Sequence, residues 1–238
     1  MNDKPLSAQT ALITGGATGI GRAFAEALLD TEIGAVVIAS RRGEILEQAS
    51  ADMNAKHGER VTPYTFDIRD RRQTEALVKY IETKFGAVDI LINNAGLAVP
   101  ETVTEITADG WDTVLDTNLR GAMWLTQLVL PRMLELDFGD IVNVSSQAGK
   151  NGYADVPSYC ASKFGLLGFA ESVRDDMRGR GANIRVFNFC PGLVDVESAG
   201  DQAPRAGFIH IRNMAKTLVY ALSLDRNVNL EDISIYSR

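Results

Sequence analysis

Hydrophobic residues follow two alternating patterns along the chain. Short runs rich in β-branched residues are each followed by a longer segment whose apolar residues recur at spacings of three and four, such as Phe24, Leu28 and Leu29. The short runs are typical of buried strands and the longer segments of amphipathic helices. The predicted strands are residues 11–14, 35–39, 61–66, 88–92, 140–144, 184–189 and 232–236.

This alternation predicts an α/β fold. Strand, helix and strand repeated about six times indicate a parallel sheet with helices on both faces. No linker, charge block or internal repeat divides the pattern, so we interpret residues 1–238 as one domain. Residues 195–208 have no clear period and contain Asp, Gly, Ala and Pro. We expect a mobile loop there, beside the substrate.

Charge narrows the classes of partner. The chain has Lys+Arg 24 and Asp+Glu 31, a formal charge of −7. This acidic excess provides no basic surface for nucleic acid or an anionic membrane. No run of about 18 uncharged apolar residues occurs, and residues 1–7 resemble neither a signal peptide nor an anchor. We therefore expect no nucleic-acid partner and no membrane partner.

Cysteine and histidine are scarce. Cys160 and Cys190 are the only cysteines, and His57 and His210 are the only histidines. These four residues cannot form a disulfide scaffold, and we expect no zinc cluster or other metal site. Both cysteines are interpreted as small buried hydrophobic residues. A reducing, cytoplasmic location is predicted.

A glycine-rich turn follows the first predicted strand. Residues 14–21 read Thr-Gly-Gly-Ala-Thr-Gly-Ile-Gly, with glycine at positions 15, 19 and 21, and a helical pattern follows them. Glycines between a strand and a helix allow backbone N–H groups to approach a pyrophosphate at the positive end of the helix. A tight turn with a close helix contact is the structural alternative. The position of the turn after the first of several alternating strands favours nucleotide binding.

The end of the second strand indicates which nucleotide is bound. Ser40, Arg41 and Arg42 stand where an acidic residue would bind the ribose 2′-hydroxyl of NAD. Guanidinium groups can instead hold a 2′-phosphate by charge-assisted hydrogen bonds. The alternative is that both arginines only line the exposed start of the next helix. We predict NADP(H) as the cofactor, with NAD(H) less favoured.

Tyr159 and Lys163 form a candidate catalytic pair. They lie four residues apart in a helical pattern that opens at Pro157, so both point to one face of the helix. An ammonium group beside a phenol favours the phenolate, and we expect it to lower the phenol's pKa from about 10 toward neutrality. Tyr80 and Lys84 have the same spacing, but their surroundings indicate an ordinary amphipathic helix face.

A serine completes this candidate site. Ser146 lies thirteen residues before Tyr159 and closes the fifth predicted strand. Ligands of parallel sheets bind outside the carboxyl ends of the strands, which is where this serine is expected. The adjacent Ser145 would face the other side of an extended strand, so we assign it a packing role or a local backbone hydrogen bond.

These motifs together resemble the short-chain dehydrogenase/reductase family over nearly the whole chain. The matching pieces are residues 14–21, 67–68, 93–96, 118–121, Ser146 with Tyr159 and Lys163, and 191–192. The resemblance implies a single-domain Rossmann fold with a doubly wound, seven-stranded parallel sheet. It also implies a catalytic tetrad of Asn118, Ser146, Tyr159 and Lys163 and hydride transfer between a nicotinamide and a carbonyl or alcohol carbon.

The resemblance also assigns roles to individual residues. Tyr159 would be the general acid/base, Ser146 would hydrogen-bond the substrate oxygen, Lys163 would also hold the nicotinamide ribose, and Asn118 would anchor a water in the proton relay. Asp67 would contact the adenine, with a helix-start role as its alternative. The implied cofactor-binding residues are Thr14, Gly15, Gly19, Ile20, Gly21, Ser40, Arg41, Arg42, Asp67, Ile68, Asn94, Ala95, Gly96, Tyr159, Lys163, Pro191, Gly192 and Val194.

The chain departs from the family after Gly192. Where the family often has a threonine near the nicotinamide amide, this chain has Asp195, Val196 and Glu197. The acids at Asp195, Glu197 and Asp201 would repel an anionic substrate unless they face solvent. Few apolar residues follow, which favours a small carbonyl or alcohol substrate over a steroid-like one. The C-terminal residues resemble the branch of the family that acts on hydroxy acids and small carbonyls.

Two further expectations concern assembly and alternative functions. The resemblance implies a homodimer or homotetramer formed through residues 111–133 and the helix from Pro157 onward, whose alternative role is to cover the sheet. A non-catalytic NADP(H)-binding sensor or scaffold would have the same fold, but it would not need the phenol. An epimerase or dehydratase with bound NAD is disfavoured by Arg41 and by the absence of a second substrate domain in this chain.

Overall fold

The seven predicted strands form one parallel sheet. We describe residues 4–198 and 203–238 in a computed structural model. The sheet strands are β1 (Thr10–Thr14), β2 (Ala35–Ser40), β3 (Val61–Thr65), β4 (Ile90–Asn93), β5 (Gly139–Val144), β6 (Ile184–Pro191) and β9 (Asp232–Ile235). A separate pair of short strands, β7 (Val194–Asp195) and β8 (Ile209–His210), follows β6. Predicted and observed ends of the seven strands differ by at most two residues, so the strand predictions are confirmed.

Seven α-helices connect or follow these strands within the described residues. They are α1 (Gly19–Leu29), α2 (Gly43–His57), α3 (Arg71–Phe85), α4 (Ala108–Leu115), α5 (Gly121–Leu136), α6 (Pro157–Arg180) and α7 (Ile211–Ser223). A π-helical turn, Asp116–Arg120, joins α4 to α5, and a 3₁₀ turn, Gln147–Gly149, follows β5. In the part of the chain that is described, no helix is long and apolar enough to cross a membrane.

Strand order places a ligand site at the centre of the sheet. The order is β3-β2-β1-β4-β5-β6-β9, and every pairing in it is parallel. Crossovers run one way from β1 to β3 and the other way from β4 onward. The adjacent loops after β1 and β4 therefore diverge and leave a crevice, as at the switch point of other doubly wound sheets.

Apolar packing covers both faces of the sheet. One core joins the sheet to α1, α2 and α7 through residues such as Phe24 and Leu218, and Phe24 meets Phe189 edge to face at 5.7 Å. The opposite core joins it to α3, α5 and α6 through residues such as Leu77 and Leu125. Because both faces are buried, the central strands β1, β2 and β4 are largely apolar, whereas the edge strands β3 and β9 are partly exposed and contain polar residues. The prediction of a single-domain, doubly wound Rossmann fold is confirmed.

Candidate active site

A cleft of about 1040 Å³ crosses the carboxyl ends of the central strands. Arg41 and Arg42, which follow β2, line one end, here called the arginine pole. Ser146, Tyr159 and Lys163 line the other end, here called the reacting pole. Ser146 follows β5, three strand spacings or about 14 Å from β2. The cleft is therefore long enough for an extended ligand that spans both poles.

The glycine-rich turn lies between the two poles. Gly15 and Gly19 have φ values of 66° and 55°, which favour glycine because a Cβ would strain this backbone. A Cβ on Gly21 would collide with the carbonyl oxygen of Gly15. The side chain of Thr18 does not cap α1, so the first turn of the helix presents N–H groups that a pyrophosphate can accept from.

The turn is fixed to the end of β4 by hydrogen bonds. Thr14 Oγ1 accepts from the N–H groups of Asn94 and Ala95 at 3.0 and 2.9 Å. Asn94 Nδ2 donates back to the carbonyl oxygens of Thr14 and Gly15, at 2.8 and 3.3 Å. Thr14 therefore holds the two loops together and does not itself line the cleft.

The arginine pole presents exposed cations. Arg41 and Arg42 are both exposed, and Arg42 Nη2 donates to Thr18 Oγ1 at 3.3 Å, across the cleft opening. The hydroxyl of Ser40, which also lines the cleft, is buried and has no hydrogen-bond partner. A buried polar group without a partner is costly in a protein interior, and a ligand can supply the missing bond. Together with the glycine-rich turn, these residues fit a phosphorylated dinucleotide.

Asp67 lies beside this pole, and its carboxylate is already hydrogen-bonded to Arg69. It accepts from Arg69 Nη2 at 2.6 Å and from the Arg69 N–H at 3.0 Å. The side-chain hydrogen bond from Arg69 holds the pKa of Asp67 below its ordinary value, and the charge of Arg41 acts in the same direction. Phe66 and Ile68 line the cleft, whereas Asp67 does not. Its contact with adenine stays a prediction.

The reacting pole brings together the serine, tyrosine and lysine. Tyr159 lies in the first turn of α6, which begins at Pro157 as predicted. Its phenol shares a hydrogen bond with the side chain of Ser146. Ser146 lies two residues beyond the end of β5, and its Oγ accepts from the N–H of Ala148 at 3.1 Å. The neighbouring Ser145 is buried, as a packing role requires, and its hydrogen bond, to the carbonyl oxygen of Lys163 at 3.2 Å, links it to α6 and is not local.

Lys163 holds a buried ammonium group behind the phenol. Its Nζ lies 5.5 Å from the centre of the Tyr159 ring and donates to the carbonyl oxygen of Val144 at 2.7 Å. The residue is 3% exposed and forms no ion pair with an acid in the described residues. Burial lowers the pKa of Lys163 to about 8 because the charged form is desolvated.

The predicted lowering of the tyrosine pKa is wrong for this structure. Burial raises the pKa of Tyr159 above its ordinary value, and the hydrogen bond with Ser146 offsets this only in part. The ammonium of Lys163 donates to Val144, not to the phenol, so desolvation of the phenolate has the larger effect. Without a ligand, Tyr159 is therefore a protonated phenol at neutral pH.

Comparison with known proteins identifies the family. The sequence profile of the short chain dehydrogenase family matches residues 9–206. The chain belongs to this family. It is an NAD(P)-dependent dehydrogenase/reductase, as predicted from the sequence.

Named relatives agree with this membership. A 3-oxoacyl-(acyl-carrier-protein) reductase from Thermotoga maritima is 37% identical over 194 residues, 80% of this chain and 76% of the relative. An NADP-dependent 3-hydroxy acid dehydrogenase from Schizosaccharomyces pombe is 29% identical over 97% of this chain and 93% of its own. A metagenomic short-chain oxidoreductase solved in complex with NADP has a TM-score of 0.84 and 27% identity, and the match covers 98% of this chain and 99% of that one.

In this short-chain dehydrogenase, Asn118 lies in the π-helical turn and is buried. Its Oδ1 accepts from the N–H of Leu97 at 2.9 Å, and its Nδ2 donates to the carbonyl oxygen of Leu97 at 2.8 Å and to Ser162 Oγ at 3.1 Å. Both amide hydrogens are therefore used. The side chain links the segment after β4 to α6, and it does not line the cleft.

The expectation that Asp195 would repel an anionic substrate is wrong for this structure. It is buried, its Oδ2 accepts from the N–H of Arg205 at 2.8 Å, and its Oδ1 lies 3.1 Å from Arg205 Nη2. These contacts lower the pKa of Asp195, the backbone hydrogen bond from Arg205 most. The guanidinium of Arg205 also stacks on Phe208 at 4.5 Å. This ion pair neutralises Asp195, and Asp201 lies outside the described residues.

Most of the predicted cofactor residues line the cleft, and several lining residues were not predicted. Thr14, Gly19, Gly21, Asp67 and Asn118 support the lining without belonging to it. Gln147, Tyr153, Asp155, Leu193 and Val196 also line the cleft, and so do ten further residues. Val196 lies beside Gly19 of the glycine-rich turn. Gln147, Tyr153 and Asp155 lie between Ser146 and Tyr159. The spacing of the motif defines the ends of this segment but gives no role to the residues within it. Within the described residues, no cluster of three His, Cys, Asp or Glu side chains could hold a metal ion.

Proposed function

We propose that the protein is an NADP(H)-dependent oxidoreductase acting on a small carbonyl or secondary alcohol, with Tyr159 as general acid/base. The observation that carries this proposal is the half-buried phenol of Tyr159, hydrogen-bonded to Ser146 and backed by the ammonium of Lys163 at 5.5 Å from the ring centre. This pole opens into the same cleft as the glycine-rich turn. The bound cofactor supplies or accepts the hydride at the substrate carbon.

The tyrosine moves the proton that accompanies the hydride. In the reducing direction the protonated phenol donates to the developing alkoxide, and in the oxidising direction the phenolate accepts the alcohol proton. The raised pKa of Tyr159 keeps the phenol protonated at neutral pH, which favours the donor role in reduction. The hydrogen bond to the Val144 carbonyl holds the ammonium of Lys163 near the Tyr159 ring, so no charged residue has to move toward the phenol during the reaction.

Ser146 and Asn118 support this step. The hydroxyl of Ser146 can donate to or accept from the substrate oxygen, so it serves both the carbonyl and the alcohol. Asn118 acts as a positioning residue, because its amide fixes Leu97 and Ser162 on two sides of the reacting pole. The water relay implied for Asn118 stays a prediction. The mobile substrate loop at residues 195–208 also stays a prediction, as do the cytoplasmic location and the homodimer or homotetramer.

The absorbance of the nicotinamide tests this function. We expect NADPH to be oxidised in the presence of some members of a panel of small aldehydes and ketones. The variant Tyr159→Phe should bind NADPH and lose the turnover. Tight NADPH binding without turnover of any compound by the wild type would favour the sensor or scaffold function instead.

The preference for NADP(H) rests on the arginine pole. A 2′-phosphate placed there meets two exposed guanidinium groups and, among residues 4–198 and 203–238, no unpaired carboxylate that lines this pole, because Asp67 is bound to Arg69. Arg41→Glu should lower kcat/KM with NADPH by about tenfold or more, as expected for the loss of a hydrogen bond to a charged group. The matched variant Arg72→Glu changes an exposed arginine on α3 that does not line the cleft and should leave kcat/KM unchanged. Retained NADPH preference in Arg41→Glu would refute the phosphate contact.

A further inference from the structure

The charges around the reacting pole are unequal. Asp155 lines the cleft, is exposed, and forms no hydrogen bond or ion pair with its side chain in residues 4–198 and 203–238. It lies four residues before Tyr159 and two before the start of α6. Asp155 and Tyr159 line the same cleft, so a substrate that extends from the phenol of Tyr159 toward the loop before α6 can meet a free carboxylate.

Among the described residues, no cation that lines this pole is free to balance that carboxylate. Lys163 is buried and hydrogen-bonded to Val144. Arg41 and Arg42 line the opposite pole. Two other cations, in the segments that follow β5 and β7, do not line the cleft and are engaged elsewhere. Lys150 donates to Ser234 Oγ at 2.9 Å, and Arg205 pairs with Asp195.

The remaining lining is neutral. Tyr153 and Gln147 offer oxygen atoms that can accept hydrogen bonds, and Leu193 adds apolar surface that is 55% exposed. An ammonium group has three N–H donors and can use a carboxylate and neutral oxygens together. A substrate carboxylate would meet Asp155 with no described cation to offset the repulsion.

We propose that Asp155 determines specificity by selecting a carbonyl or alcohol substrate that carries a cationic amino group near the reacting carbon, and by disfavouring one that carries a carboxylate there. This proposal rests on the proposed oxidoreductase function. It differs from the activity named for the fungal relative, which acts on 3-hydroxy acids. The charge that this chain places at its own reacting pole is the reason for the difference.

Three secondary alcohols of matched length, ending in a methyl, an ammonium or a carboxylate group, test the proposal. Binding of each alcohol to the complex of the enzyme with NADPH is followed by the fluorescence of the nicotinamide, which needs no turnover. In parallel, kcat/KM is measured with NADP⁺. For the wild type we expect the ammonium alcohol to bind about threefold to fivefold more tightly than the methyl alcohol, the range of an exposed ion pair, and the carboxylate alcohol to bind most weakly.

Variants at Asp155 separate charge from shape. Asp155→Asn should remove the discrimination while leaving binding of the methyl alcohol within twofold, and Asp155→Lys should reverse the order. Asp175→Asn, which changes an exposed acid in the later turns of α6 away from the cleft, is the matched control and should keep the wild-type order.

The outcomes distinguish this proposal from the proposed function. Equal binding of the three alcohols, binding of none, tighter binding of the carboxylate alcohol, or an unchanged order in Asp155→Asn would overturn the role of Asp155. Turnover of the methyl alcohol in any of these cases would leave the oxidoreductase function standing. Ammonium-selective binding without turnover of any alcohol would support the role of Asp155 and contradict the oxidoreductase function.

Discussion

Two Tyr-x-x-x-Lys pairs in this chain have nearly the same distance between ring and ammonium group but different surroundings. The ammonium nitrogen lies 5.6 Å from the ring centre in the pair Tyr80 and Lys84, and 5.5 Å in the pair Tyr159 and Lys163. In α3, Lys84 is exposed and donates directly to the Tyr80 hydroxyl at 3.2 Å. In α6, Lys163 is buried and donates to the Val144 carbonyl.

The comparison shows that helical spacing alone does not make a catalytic pair. Residues four apart meet on any helix, so the ring-to-ammonium distance follows from the helix itself. The direct contact with the phenol occurs in the exposed pair, where water screens it. What distinguishes the pair in α6 is the burial of its lysine, the hydrogen bond of its tyrosine to Ser146 and the position at the carboxyl end of the sheet.

The largest expected difference between the pairs is in catalysis. Tyr159→Phe should lower kcat/KM by about 10²- to 10⁴-fold, because it removes the group that transfers the proton. Tyr80→Phe should change kcat/KM by less than twofold, since Tyr80 does not line the cleft. Steady-state rates with the best carbonyl substrate and NADPH measure both. NADPH affinity of each variant serves as the control, and similar rates for the two variants would contradict the assignment of Tyr159.

The second expected difference is in stability. Lys163→Met should raise the free energy of unfolding by about 1 to 3 kcal/mol, because it removes a desolvated charge that no acid balances and retains a side chain of similar length. Lys84→Met, at an exposed position, should change it by less than about 0.5 kcal/mol. Urea unfolding at pH 7 measures both effects. A less stable Lys163→Met protein would show that the hydrogen bond to Val144 outweighs the desolvation of the ammonium.

The sequence was sufficient for the fold and for the backbone frame of the site. The apolar runs locate the central strands because these are buried on both faces, and the edge strands β3 and β9, which are only partly buried, are located by their β-branched residues and by the alternation with helices. The glycine-rich turn, Arg41, Ser146, Tyr159 and Lys163 also come together in one cleft as expected. These features depend on local spacing and on the strand ends, both of which are visible in the sequence.

Other features depend on contacts that no local pattern reveals. Asp195 is neutralised by Arg205, ten residues away, and the amide of Asn118 is hydrogen-bonded to Leu97, 21 residues earlier, and to Ser162 in α6. The direction of the Tyr159 pKa shift was wrong because it depends on how much water the fold excludes, whereas spacing reveals only the nearby charge. The role of Asp155 at the substrate end required knowledge of which neighbouring charges are already paired.

The smallest expected effect is the pH dependence of the stability difference between Lys163→Met and the wild type. The pKa of Lys163 is about 8 in the folded protein, below the ordinary value of about 10.4 that the unfolded chain would show. Below pH 8 both states are protonated, so the cost of burying the charge is fully present. Between about pH 8 and 10 the unfolded wild type binds more protons than the folded protein, and the stability of the wild type therefore rises relative to Lys163→Met.

Urea unfolding at pH 7, 8, 9 and 10 should show that the stability advantage of Lys163→Met over the wild type shrinks by more than half. The difference between Lys84→Met and the wild type, with an exposed lysine, should stay constant over the same range, and a constant difference for Lys163→Met as well would mean that its ammonium is not desolvated.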